Sequence, residues 1–288
     1  MTALHPGLSR RARVAALDDS SRGRFARLLG ADPITNVVVD SRVRAVGSVQ
    51  PKRLGGTVFA VREGDDLVAA CFSGGNLIPI GGDPASWTAL AALVAQRPRI
   101  CTSIVGRADA VAAMWPVLSE RWGPPRAIRR EQPLLVTSGP ILVPGDESVR
   151  AARPDDTERY LAAAATMFTE ELGVSPHVAP GSAAFRRRVD ELIRAGRAFG
   201  SFDRRGQVVF KADVGALTAH TCQIQGVWVR PDLRGRGIGT AALATVVRHG
   251  LTLAPTVSLY VNDFNTAARR VYAKLGMHQH GTLSTVLL

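Results

Sequence analysis

The segment Val227-Trp228-Val229-Arg230-Pro231-Asp232-Leu233-Arg234-Gly235-Arg236-Gly237-Ile238-Gly239-Thr240 is the part of the chain best suited to chemistry. A β-rich run ends at Pro231, passes through alternating glycines, and opens directly into a helical stretch. Glycine removes the Cβ atom, so consecutive backbone N–H groups can close around a bulky anion. A helix N-terminus adds unpaired donors and the positive end of its dipole. A pyrophosphate suits such a cradle, with Arg234 and Arg236 beside it. A nucleoside-triphosphate loop would end in Gly-Lys-Ser/Thr, whereas Thr240 follows Gly239 with no lysine. A dinucleotide fingerprint opens the first strand–helix unit, whereas this segment comes late and has Thr240 in the last glycine position. On these residues alone, a glycine-rich turn without a ligand stays equally open.

A second segment follows the apolar run Val257–Val261: Asn262-Asp263-Phe264-Asn265, then Ala268, Tyr272, Gly276 and Met277. The two segments, in this order, resemble the GNAT superfamily of N-acetyltransferases. The family's coenzyme A loop, Arg/Gln-x-x-Gly-x-Gly/Ala, is met by Arg234, Gly237 and Gly239. Its N-x-x-A-x-x-x-Y-x-x-x-G-F stretch is met by Asn265, Ala268, Tyr272 and Gly276, with Met277 in place of the usual aromatic. The resemblance covers Val149 to Leu288.

That resemblance implies an acetyl-coenzyme A-dependent transfer of acetyl directly to a primary amine, on a small molecule or a protein. Backbone groups of Val227 and Val229 would meet the acetyl and pantetheine. Amides of Gly235, Arg236, Gly237, Gly239 and Thr240 would hold the pyrophosphate, with Arg234 completing the loop. Asn265 would contact the cofactor arm or the next helix. Tyr272 would act as general acid towards the departing thiolate. The chain departs from the pattern at the base: many relatives carry a glutamate where Gln223 stands, and an amide takes no proton. Glu170 and Glu171, at a helix end that borders the acceptor in relatives, are candidates for base or acceptor binding. Asp213 and His220 are further ones. Gln223 also keeps open a non-catalytic acyl-coenzyme A-binding sensor or regulatory module.

The elements that must position these residues alternate between strand and helix in both halves. In the first half, short strands are expected at Thr57–Val61, Leu67–Phe72 and Asn76–Ile80. A helix follows from Pro84 to Gln96, capped by Asp83. Then come a strand at Ile100–Val105, a helix at Ala108–Arg121 and a strand at Pro133–Val136. The second half repeats the order: strand Val149–Ala152, helices Asp155–Leu172 and Phe185–Ala195, a hairpin of Ala198–Phe202 and Val208–Val214, and strand Thr221–Val229. Helix Thr240–His249, strand Val257–Val261, helix Asn265–Leu275 and strand Leu283–Leu288 complete it. Residues 138–146 carry the Gly and Pro of a linker. The expected fold is therefore mixed α/β (α+β): two GNAT-like domains, 1–140 and 141–288, each a twisted mixed sheet flanked by helices. In the first, Gly81-Gly82-Asp83-Pro84 replaces the arginine–glycine loop, and an acid and a proline there would repel a pyrophosphate. That domain reads as degenerate. The layout is similar to actinobacterial acetyltransferases with an uncharacterised N-terminal domain, and to tandem GNAT enzymes.

Composition sets the remaining bounds. The 288 residues carry a net charge of +12, almost all of it arginine, because Lys52, Lys211 and Lys274 are the only lysines. The charge is spread over both halves, which argues against a nucleic-acid surface. Cys71, Cys101 and Cys222 are odd in number and far apart, so neither a disulfide framework nor a metal site is expected. No run reaches the ~18 apolar residues of a membrane span, and the N-terminus lacks an apolar signal core. A cytoplasmic monomer or homodimer is the expectation.

Overall fold

The computed structural model describes residues 12–173, 175–176 and 182–288. Part of the loop that follows Glu171 lies outside them, as does much of the N-terminal stretch read above for a signal core. The described chain forms two compact units.

The first unit takes in residues up to Leu134, with Tyr260–Asn265 and Gln279–Leu288 added from the C-terminal part. It begins with β1 (Ala12–Ala16), α1 (Arg22–Gly30), α2 (Val37–Val46) and α3 (Pro51–Leu54). Then come β2 (Thr57–Glu63), β3 (Asp66–Ser73), β4 (Asn76–Gly81), α4 (Pro84–Ala95), β5 (Ser103–Arg107), α5 (Ala108–Trp122) and β6 (Ala127–Thr137). Strands β1 to β4 are successively antiparallel, and β4 and β5 are parallel. The last strand of the chain, β12 (His278–Leu287), pairs antiparallel with β5.

Period-two alternation explains why helices cover both faces of this sheet. Val58 and Ala60 face α1 and α2, where they pack with Phe25, Leu29, Val39 and Val43. Phe59 and Val61 face the other way, onto Trp87, Leu90, Val94, Met114 and Leu118 of α4 and α5. Both faces are apolar, so both must be covered. Helix α4 starts where the sequence places it: the Asp83 carboxylate accepts from the Ser86 amide at 2.8 Å, and Pro84 stands in the first turn.

The second unit spans Leu135–Leu259 and Thr266–His278. It holds β7 (Arg150–Ala151), α6 (Thr157–Leu172), α7 (Ser182–Arg194), β8 (Ala198–Phe202) and β9 (Val208–Leu217). These are followed by β10 (Cys222–Val229), α8 (Ile238–Leu253), β11 (Val257–Tyr260) and α9 (Thr266–Lys274). Strands β7 to β10 are antiparallel in succession, and β10 and β11 are parallel. Helix α6 covers the face of β9 that carries Lys211 and Asp213, for Tyr160 of α6 reaches Asp213. Helix α8 covers the other face, where Gly250 lies against Cys222 and Val257.

The mixed fold with helix-flanked sheets is as expected. The units differ from the 1–140 and 141–288 division in two ways. The chain passes from one to the other at 134/135, inside β6, and β12 returns to the first unit. The physical reason is long-range pairing: Leu283–Leu287 find their ladder on Ser103–Arg107, some 180 residues back in the chain. Cys71, Cys101 and Cys222 are free and buried. Among the described residues no helix is long and apolar enough to cross a membrane, and no His/Cys/Asp/Glu group could hold a metal ion.

Candidate coenzyme site in the second unit

The glycine loop is built as a row of unspent donors. Gly235 and Gly237 adopt φ of 77° and 81°, a region that disfavours any side chain, and nothing lies within 4 Å of a Cβ at either. Among the described residues, the amides of Gly235, Arg236 and Gly237 donate to no backbone acceptor. Ile238 and Gly239 open α8, whose first-turn amides have no partner within the helix, and Gly237 caps it with no side-chain acceptor. Thr240 differs from the expectation, because its amide already donates to the Gly237 carbonyl at 3.0 Å. A Cβ at Gly239 would come within 3.0 Å of Val229 Cγ2, so glycine here seats α8 close against β10. Five successive amides at the head of a 16-residue helix suit a pyrophosphate.

Arg234 fastens this loop from outside. Its Nε donates to the Val229 carbonyl at 2.9 Å and its Nη2 to Glu170 Oε2 at 2.7 Å. The same carboxylate oxygen accepts from Trp228 Nε1 at 3.2 Å. Glu170, read from sequence as a candidate base, is thus tied to the loop by two donors. Arg236 is exposed.

Beside the loop, two parallel strands part company. Among the described residues, strands β10 and β11 are in register only at Cys222↔Val257 and Gln223↔Ser258, and Ile224–Val229 of β10 have no partner on β11. On its other side β10 pairs with β9 through a first register shift between Gln223 and Ile224 and a second between Gln225 and Trp228, where Gly226 takes φ of 61° and Val227 has no register partner. Val227 and Val229 therefore lie on a strand edge that can pair with an extended ligand.

Gln223 is buried at 2% exposure, and its Oε1 accepts from Gln225 Nε2 at 2.9 Å. Gln225 stands opposite Asp213 in the β9 register, so these polar groups share the α6 face of the sheet. Asp213 is engaged there by Lys211 and Tyr160. Lys211 and Tyr160 escaped the sequence reading. The available signal was a lone lysine in the apolar strand Val-Val-Phe-Lys-Ala-Asp-Val of an arginine-rich chain. His220 sits in the exposed β9–β10 turn.

Tyr272 lies on α9, 6% exposed. Burial, and after it the negative charge of Glu171, pushes its phenol up to about 12. The neutral form is favoured, so the stability it contributes is complete below pH ~10 and is lost as pH rises towards 12. In an ultraviolet titration, the phenolate signal lost in Tyr272→Phe should appear near pH 12. A midpoint at the ordinary tyrosine value of about 10 would mean that the ring is not shielded. Asn265 is exposed, directly before α9, and falls in the part of the chain that belongs to the first unit.

The sequence profile of the Acetyltransferase (GNAT) family matches residues 185–277, which contain β10, the glycine loop and Tyr272 together. The second unit carries a GNAT acetyltransferase domain. Residues 56–160 match a domain of unknown function, DUF4081, so the GNAT domain follows an uncharacterised one. Within 58 residues (20% of this chain) the sequence is 40% identical to the peptidyl-lysine N-acetyltransferase YjaB of Salmonella typhimurium. That match spans 37% of the relative's length. Three solved structures share the fold along nearly the whole chain. A GNAT-family acetyltransferase from Colwellia psychrerythraea aligns at TM-score 0.56 and 15% identity, covering 96% of this chain and 99% of the other. A tandem GNAT protein from the clavulanic acid biosynthesis pathway gives 0.55 and 17%, over 96% and 98%. A GCN5-related N-acetyltransferase from Sphaerobacter thermophilus gives 0.58 and 19%, over 97% and 96%.

The first unit has the same strand pairing as the second, four successively antiparallel strands and then a parallel one. Among the described residues, strands β4 and β5 pair only at Asn76↔Ser103 and Leu77↔Ile104, as β10 and β11 do at their start. The Pro79 ring then packs onto Gly106, where a Cβ would come within 2.7 Å of it. The turn before α4 is spent as well. Trp87 Nε1 donates to the Gly81 carbonyl at 2.6 Å, and Asp83 occupies the helix cap that a phosphate would need.

Proposed function

We propose that the GNAT domain transfers an acetyl group from acetyl-coenzyme A directly to an amine. The reading rests on one coincidence: the donor row Gly235–Gly239 adjoins a strand, β10, left open beyond Gln223. Acetyl-coenzyme A supplies the acyl group as an activated thioester. The amides of Gly235, Arg236, Gly237 and Gly239 hold its pyrophosphate, and Arg234, fastened by Glu170, fixes the loop that presents them. Val227 and Val229 offer backbone groups along the open edge. Tyr272 keeps its proton at neutral pH and delivers it to the departing sulfur.

Gln223 cannot accept a proton, so the amine arrives neutral or loses its proton through water. Glu170 and Glu171 are the carboxylates assigned to receive it or to bind the acceptor, and Glu170 also accepts from Arg234 and Trp228. The acceptor is a protein lysine, on the strength of the 40% identical segment in a peptidyl-lysine enzyme, with small amines as the other class. The N-terminal domain, with its own openings filled, serves as a non-catalytic partner domain.

The test is coenzyme A thiol release from acetyl-coenzyme A with peptides and small amines side by side. Release that depends on an acceptor is expected. Buried Gln223 favours one other reading, a non-catalytic acyl-coenzyme A sensor. Saturable binding with no release under any acceptor would support that reading and remove the first.

A further inference from the structure

A charged pair lies buried under the β10 bulge. The Lys211 side chain is 0% exposed and Asp213 13%. Lys211 Nζ stands 2.8 Å from Asp213 Oδ2, 3.0 Å from the Gly226 carbonyl oxygen and 5.1 Å from the centre of the Tyr160 ring. The Tyr160 hydroxyl donates to Asp213 Oδ1 at 2.6 Å. Cation, anion, phenol and carbonyl thus close into one satisfied network.

Stability alone does not account for it. An apolar pair of similar volume often serves as well or better in such a place, because desolvating two charges offsets much of their attraction. What the network holds is a particular peptide plane. The carbonyl gripped by Lys211 belongs to the Gly226–Val227 peptide, at the bulge and on the open stretch of β10. The peptide is planar and trans, so fixing its C=O towards the ammonium fixes the Val227 N–H in the opposite direction. A hydrogen bond to a charged donor also polarises the peptide and makes that N–H a stronger donor. Gly226 is required for this arrangement. At φ of 61°, its Cβ would stand 2.7 Å from Lys211 Nζ and 2.8 Å from Asp213 Oδ2.

We infer that Lys211 is a positioning residue which, through Asp213 and Tyr160, locks the Gly226–Val227 peptide so that the Val227 amide faces the acyl oxygen of the thioester. The inference rests on the acetyl-coenzyme A reading proposed above. It has a consequence that needs no knowledge of the acceptor. The locked amide interacts with acetyl-coenzyme A but has nothing to meet in free coenzyme A, whereas the pyrophosphate loop binds both alike.

Calorimetric titration of wild type and Lys211→Met with the two ligands tests it. Wild type is expected to prefer acetyl-coenzyme A several-fold. In Lys211→Met that preference falls to parity while affinity for free coenzyme A is kept, a split that mere loosening of the fold would not produce. Equal affinities in wild type, or a preference that survives in folded Lys211→Met, overturn the inference alone. Wild-type protein that binds neither ligand overturns the coenzyme A reading and the inference with it. Should Lys211→Met not fold, Tyr160→Phe carries the comparison. It removes the hydroxyl that holds Asp213 and keeps the ring below the ammonium. A reduced preference is expected there, and an unchanged one overturns the inference.

Discussion

Tyr272→Phe is expected to lower turnover about 10²–10⁴-fold, the usual contribution of a positioned acid or base, while affinity for coenzyme A stays at the wild-type value. The residue is buried on α9, and its phenol is pushed up to about 12, so it keeps its proton at neutral pH. Proton donation to a leaving thiolate is needed only as the bond to sulfur breaks. The loss should therefore fall on kcat, with KM for acetyl-coenzyme A little changed. Phenylalanine keeps the ring that packs α9, so thermal unfolding of the variant should match wild type. Steady-state kinetics with equal kcat for the two proteins would remove Tyr272 from the acid role.

Gly237→Asp is expected to weaken coenzyme A binding roughly 100-fold or more without unfolding the protein. The first unit shows what such a residue does at this place: Asp83 caps α4 by accepting from the Ser86 amide. An aspartate at 237 would cap α8 in the same way and spend the donors that a phosphate needs. Its charge would add repulsion. Unit charges about 4 Å apart near a protein surface interact by ~4 kcal/mol, and solvent screening at this exposed loop leaves about half of that. Aspartate also tolerates the left-handed backbone of position 237 better than most residues, and the cap it forms offsets the strain. Gly237→Ala is the control, since it adds the strain without the charge or the cap. Calorimetry that finds the two variants equally weak would assign the loss to strain alone.

Much of the sheet framework was legible in sequence. In β2, Val58 and Ala60 alternate with Phe59 and Val61, and a covered sheet needs that alternation whatever its partners. Asp83-Pro84 announced the start of α4 by local chemistry. Helices α1 and α2 were not legible. The Val-Val-Val-Asp run that opens α2 is β-branched and reads against helix, and α1 buries only Phe25 and Leu29 among its polar residues. Packing against the sheet overrides propensity in both.

The candidate site divides in the same way. Composition and spacing marked the glycine loop and its arginines as one candidate cradle, because holding a phosphate needs consecutive backbone amides and a helix start, which are local features; Tyr272 was marked by the resemblance to the GNAT superfamily. Sequence also exposed the missing carboxylate at Gln223. Only the tertiary structure decided which amides are free, for Thr240 spends its own on Gly237. Folding brought Glu170 to Arg234 and Trp228, set Lys211 under Gly226, and returned β12 to the first unit. Each of these joins residues far apart in the chain, or depends on which backbone groups find partners. The parting of β10 and β11 after Gln223 is of the second kind: it consists of hydrogen bonds that two strands do not make, and no residue spells that.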